Sequence, residues 1–268
     1  MIGALLQASA EADWRAASAL LASGVAVVPV GAALLQRVQP TRRVFFARWG
    51  FSHLIGAALA GMLVFIAQGV LVEGGALAAV LRNDLYLVAA VGVALVAAHR
   101  TQPEGWRSLG AARLDAARSL SFGGVTALFV APLVIGLAQV WPGWVGDSQG
   151  AAALGERVAT LGGGARVAAA ASLVVVAPLL REAFFRGFAQ PLLVQNFSER
   201  GGLLLSALVF ALIHPLGAFA PAFVLGLACA YAFLRTASLL APCVVHSAYQ
   251  ALALALALGE SGLRLPLL

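Results

Sequence analysis

Apolar residues in this chain run in blocks of about twenty, and the blocks are separated by short stretches rich in arginine, glycine or proline. Crossing a bilayer takes about 20 mostly apolar helical residues at about 1.5 Å of rise each. Eight blocks meet or approach that length, over residues 17–36, 53–73, 77–98, 121–141, 167–190, 202–215, 219–235 and 238–258. The third carries Arg82, Asn83 and Asp84 near its start, and the sixth is short and ends at Pro215, whose ring stops a helix; seven spans are the alternative count. The pattern predicts an all-α fold, a polytopic membrane helix bundle of about eight transmembrane helices. Nothing repeats at periods of 20 to 50 residues.

Composition agrees and excludes a water-soluble domain. Of the 268 residues 62% are hydrophobic and 10% charged, with mean hydropathy +0.94, whereas a soluble domain carries about 25% charged residues. The formal net charge is +6, and all 17 basic residues are arginine. They sit mainly between the apolar blocks, which implies membrane topology and contact with anionic lipids, not a nucleic-acid groove. Arg37, Arg42, Arg43 and Arg48 mark one loop as cytoplasmic, and Arg100, Arg107, Arg113 and Arg118 another. The stretch near Glu73 has no arginine and residues 142–166 have only Arg157 and Arg166, which places both outside, along with both termini. The first sixteen residues carry Glu11, Asp13 and Arg15 without a leading basic region, so no cleaved signal peptide is expected. An Ala/Arg-rich chain without lysine fits a GC-rich bacterial genome, and the expected location is the bacterial inner membrane.

The expected organisation is one membrane domain. Residues 1–166 supply about four spans and an external loop, 167–258 form a motif-bearing core, and 259–268 are a tail. Cys229 and Cys243 lie inside apolar blocks and read as free packing thiols. The first four spans carry almost no buried polar residue apart from His53 and His99 at span ends. The later ones contain Arg181, Glu182, Arg186, His214, Arg235, His246 and Gln250.

Charge within a bilayer costs at least a few kcal/mol per group, so it implies pairing or function. Glu182 and Arg186 are four apart with the acid first, the favourable order for a helical ion pair. That pair on its own reads equally well as a self-neutralised pin between helices, and a lone membrane histidine as a hydrogen-bonded structural residue. Depth brings the groups together. Glu182 falls about 9 residues from the cytoplasmic end of its span, His214 about 12 and His246 about 8, on the order of 13, 18 and 12 Å. One carboxylate and two imidazoles at one place can orient a water and take its proton, bind a metal, or hydrogen-bond an oxyanion.

The three segments resemble the motifs EExxxR, FxxxH and HxxxN of the CPBP family of intramembrane proteases, also called the Abi or CAAX-protease family. They are Arg181–Gly187 (REAFFRG), Phe210–His214 (FALIH) and His246–Gln250 (HSAYQ), in the same order. Ala177-Pro178 before the first and the run from Phe223 to Pro242 before the third agree as well. The resemblance implies a helical membrane protein with a cavity open to the cytoplasmic side, hydrolysing peptide bonds near the membrane. It implies that His214 activates water, that His246 and Gln250 stand on the oxyanion side, that Glu182 matches the second motif glutamate and that Arg186 is the motif arginine. If a metal takes part, it implies zinc held by His214, His246 and Glu182.

Two positions depart from the pattern: Arg181 stands where the family has its first glutamate, and Gln250 where it has asparagine. An arginine cannot serve as a base. Two readings are therefore open. One is an intramembrane endopeptidase acting on a membrane-proximal peptide, with Glu182 taking over as base through a local helix adjustment and Arg181 turned to a substrate carboxylate or lipid phosphate. The other is an inactive relative serving as a membrane scaffold or a subunit of a larger membrane complex. A transporter or proton path is a third, weaker reading. Gly146–Gly150 fits G-x-S-x-G but follows Trp141-Pro142 in a predicted loop rather than a strand. The Gly162–Gly164 run lacks the lysine of a phosphate cradle. Trp and Tyr near span ends read as interfacial anchors.

Overall fold

The computed structural model describes residues 18–19, 21–31, 33, 46–71, 75–110, 115–146 and 157–259. Among these residues the regular structure is helical throughout, with no strand. Helix α1 (Leu21–Gly31) is a shorter apolar helix within the first predicted span. Helices α2 (Phe51–Leu71), α3 (Ala76–Thr101) and α4 (Ala116–Val145) follow. Next comes one helical stretch from Gly163 to Leu212, and then α8 (Phe219–Thr236) and α9 (Leu240–Leu258). Within the long stretch are α5 (Gly163–Ala171), a π-helical turn (Ser172–Val176), α6 (Ala177–Glu182), a second π-helical segment (Ala183–Ala189) and α7 (Gln190–Leu212).

Six of the described stretches are long and apolar enough to cross a membrane. The longest, at 50 residues, would extend about 75 Å if straight, more than twice a hydrocarbon core of about 30 Å. It is not straight. Phe197 (φ −125°, ψ 20°) and Ser198 (φ 67°, ψ 168°) leave helical geometry, and a Cβ on Gly202 would meet the Val194 backbone nitrogen at 2.4 Å. The stretch doubles back tightly there, and its two arms are the predicted spans 167–190 and 202–215. The chain is an all-α polytopic membrane protein.

Both ends of α4 have a local cause. Asp115 caps α4 by accepting the Arg118 N–H at 3.1 Å, so this helix begins before the predicted residue 121. It runs on through Pro142 to Gly146, which takes the left-handed conformation (φ 72°) suited to a helix end. Asp147, Ser148 and most of the G-x-S-x-G match lie outside the described residues. The charged triplet near the start of the third block does not interrupt α3, which passes through Arg82 to Asp84.

Exposed Leu63, Leu128, Val167 and Leu179 turn outward, as lipid-facing residues must. The core draws on both halves of the chain, with Ala57, Ala94, Phe122, Phe188, Phe210 and Tyr249 in one cluster. Small residues bring backbones together: a Cβ on Gly123 would meet the Ala241 carbonyl oxygen at 2.6 Å. Two expectations are corrected. The first four spans do bury polar side chains, namely Gln68, Asp84, Ser119 and Thr126, while His53 and His99 are exposed. Trp106 and Trp144 are exposed as anchors would be, but Trp49 is buried, stacked on Phe188 and donating from Nε1 to the Phe188 carbonyl at 3.0 Å.

Candidate functional site

The site begins with the shape of one helix. A π turn closes i→i+5 bonds in place of i→i+4 and so holds one residue more than an α turn. Ala177 N–H bonds to the Ser172 carbonyl, and Gln190 N–H to the Phe185 carbonyl, each five residues back. One extra residue carries everything after it round the axis by about 100°. Relative to α5, Glu182 therefore faces the direction that position 181 would take in an uninterrupted helix.

That rotation presents Glu182 to α9. His246 donates from Nδ1 to Glu182 Oε1 at 2.7 Å, and Arg186 Nε lies 3.0 Å from Oε2. All three side chains are fully buried. Arg186 also donates from Nη2 to the Gly226 carbonyl of α8 at 2.8 Å. The carboxylate is thus held by two partners, and the guanidinium ties the first-motif helix to α8.

Phe210 is the hub of the site. Its ring lies 4.8 Å from the His214 ring, 5.6 Å from His246, 5.3 Å from Phe185 and 4.6 Å from the Arg186 guanidinium carbon. A cation over an aromatic face gains from the ring quadrupole, most of all where water is excluded. α7 ends at Leu212, so His214 stands in the turn after it. Its Nδ1 donates to the Phe210 carbonyl at 2.8 Å, which fixes the tautomer and leaves Nε2 as the lone-pair nitrogen. Nε2 is buried with no hydrogen-bond partner among the described residues, and the residue as a whole is half-buried beside exposed Ile213 and Pro215.

The structure thus joins Arg186 and His246 to Glu182 and sets the His214 and His246 rings both against Phe210. Arg181 is buried. Gln250 is fully buried one turn beyond His246.

Cys229, read as a packing thiol, is free as expected, but it is also part of this site. The ligand atoms of Glu182, Cys229 and His246 all lie within 4.8 Å of one another, so the compact trio contains the thiol rather than His214. Its donor types suit zinc; its existing bonds do not. Glu182 Oε1 is hydrogen-bonded to His246, Oε2 is ion-paired with the permanent cation Arg186 at 3.0 Å, and Cys229 donates to the Pro242 carbonyl at 3.6 Å. A divalent ion would have to break these contacts and sit beside the guanidinium. The trio as arranged does not fit a metal.

A groove of about 380 Å³ opens beside the site, walled by Gly61, Phe65 and Leu87 on one side and by Phe184, Phe185 and Ile213 on the other. Ile213 and Phe185 connect it to His214 and to the Phe210 hub.

A family model described as type II CAAX prenyl endopeptidase Rce1-like matches residues 163–252, about a third of the chain. The matched segment begins at α5 and ends just past Gln250, so it contains every residue of the site named above except the far wall of the groove. Comparison with curated proteins and with solved structures gave no match.

Proposed function

The chain belongs to the CAAX protease family through residues 163–252, and from that premise we propose that it is an intramembrane endopeptidase cleaving a membrane-proximal peptide with His214 as its base. The observation that carries this reading is the buried, unpaired Nε2 of His214, oriented by the Phe210 carbonyl in a half-buried residue beside an apolar groove. A general base needs a lone pair and a fixed direction, and His214 has both.

In this mechanism His214 Nε2 takes a proton from a water, and the hydroxide adds to the scissile carbonyl. The charge on the resulting oxyanion is balanced by the nearby guanidinium of Arg181. The C–N bond then breaks, and the imidazolium returns its proton to the leaving amine. Glu182 is not the base here, because it is fully buried and ion-paired with Arg186; through Oε1 it fixes the Nδ1–H tautomer and the orientation of His246. The apolar groove receives the hydrophobic part of the substrate. Arginine placement supports a cytoplasmic-facing site in a bacterial inner membrane, with anionic lipid around it.

A second reading has its own observation. Arg181 stands where the family's first glutamate does, and a relative stripped of that carboxylate would serve as a scaffold or subunit of a membrane complex. Comparing membrane-proteome cleavage in cells carrying the native chain, His214→Ala and Arg181→Glu separates the two. Products that vanish with His214→Ala support the peptidase; products that appear only with Arg181→Glu support the disarmed relative.

A further inference from the structure

Asp84 lies in α3, outside the family-matched segment, yet it is buried and faces the helix that carries the first motif. Its Oδ2 accepts a hydrogen bond from Ser172 Oγ at 2.5 Å, while Oδ1 has no hydrogen-bond partner among the described residues. Serine and threonine inside helices commonly bond back to their own i−4 carbonyl, and Ser121, Thr126 and Thr236 do so here. Ser172 instead reaches across to another helix.

Ser172 is also the residue whose carbonyl accepts the i→i+5 bond that defines the first π turn. That turn rotates Glu182 toward His246. The carboxylate therefore holds, by its hydroxyl, the residue on which the rotation depends. An ionisable group inside the membrane is costly and calls for such a purpose.

We propose that Asp84 is a positioning residue of the site: through Ser172 it holds the π turn that aims Glu182 at His246. It touches no reacting atom. The role deepens the peptidase reading and rests on it for what the site does, but the geometry stands without it.

The test uses the full chain, labelled with ¹⁵N-histidine in lipid nanodiscs, and reads the Nδ1 proton that His246 donates to Glu182, identified by its loss in His246→Gln. Asp84→Ala and Ser172→Ala should shift or broaden that signal, while Ser172→Thr, which keeps the hydroxyl, and Asp84→Asn, which keeps an acceptor oxygen, should restore it. Where cleavage is measurable, Asp84→Ala should lower it by roughly a hundredfold, as expected for a misplacement of about 1 Å. An unchanged proton in folded Ser172→Ala would overturn the proposal. So would loss of folding in both alanine variants, which would make Asp84 a general core residue. Absence of any His214-sensitive product from the native chain would sink the peptidase reading and leave this one standing, because the proton signal does not depend on turnover.

Discussion

His246 Nδ1 and Glu182 Oε1 lie 2.7 Å apart across 64 residues of sequence, in a place with no exposure to solvent. On its other oxygen the same carboxylate meets Arg186 at 3.0 Å. Burying a lone ion is expensive, and removing one partner of a buried pair leaves the other uncompensated, at about 3–5 kcal/mol. Glu182→Leu should therefore destabilise the protein by about that amount. The double variant Glu182→Leu/Arg186→Met, which removes both charges, should recover most of the loss. Thermal unfolding in detergent checks this, and a double variant no better than the single one would contradict it.

Phe210 supports a different expectation, because its ring and its backbone do separate jobs. The ring packs against both His214 and His246 and lies under the Arg186 guanidinium, whereas the tautomer of His214 depends on the Phe210 carbonyl. Phe210→Leu keeps the backbone acceptor and much of the volume, so it should cost only about 1–2 kcal/mol of stability. Loss of the ring frees both His214 and Arg186 to shift, and cleavage should fall by more than tenfold, on the order expected when a reacting group is displaced. Measuring unfolding and product formation on the same preparation distinguishes this from a general loss of fold.

The occupied state of the Glu182, Cys229 and His246 trio leads to a prediction about metals. With the carboxylate held twice and a guanidinium adjacent, purified protein should contain far less than one zinc per chain. Chelator should change neither its unfolding temperature nor any cleavage. Elemental analysis of the native chain beside Cys229→Ser reads this directly, and a stoichiometric zinc lost in Cys229→Ser would overturn the fit argument.

Much of this architecture was legible because lipid is a strict solvent. It sets a minimum length on every span, so the blocks announced the helices, and it makes each internal charge conspicuous, so Arg181, Glu182, Arg186, His214 and His246 could be singled out. What stayed hidden depends on packing between distant segments. Nothing local distinguishes an i→i+5 turn at Ser172–Val176 from an ordinary helix. Asp84 looked like a feature of a span boundary because its partner is 88 residues away. Cys229 sits among alanines and leucines, and only the approach of α6 and α9 reveals it as a neighbour of Glu182 and His246. Trp49 read as an interfacial anchor because the Phe188 carbonyl that takes its N–H lies in the second π segment, far along the chain.

Two glycines test whether that packing is as close as the distances say. At Gly202 a Cβ would sit 2.4 Å from the Val194 backbone nitrogen, and at Gly187 another would sit 2.6 Å from the Leu109 carbonyl oxygen. In both cases the obstacle is backbone, which cannot swing aside as a side chain can. Gly202→Ala should force the two arms of the long stretch apart at Phe197–Ser198. Gly187→Ala should push the second π segment, which contains Arg186, off the loop after α3. Overpacking of this kind costs about 1–3 kcal/mol and occasionally more. Gly92 and Gly124 lie in α3 and α4 with nothing within 4 Å of a built Cβ, so alanine there should be neutral or gain up to about 1 kcal/mol from helix propensity. All four variants expressed in parallel and compared by unfolding temperature provide the check. A ranking with Gly187→Ala and Gly202→Ala below Gly92→Ala and Gly124→Ala confirms the tight hairpin and the seated π segment, and equal temperatures would mean that neither contact is that close.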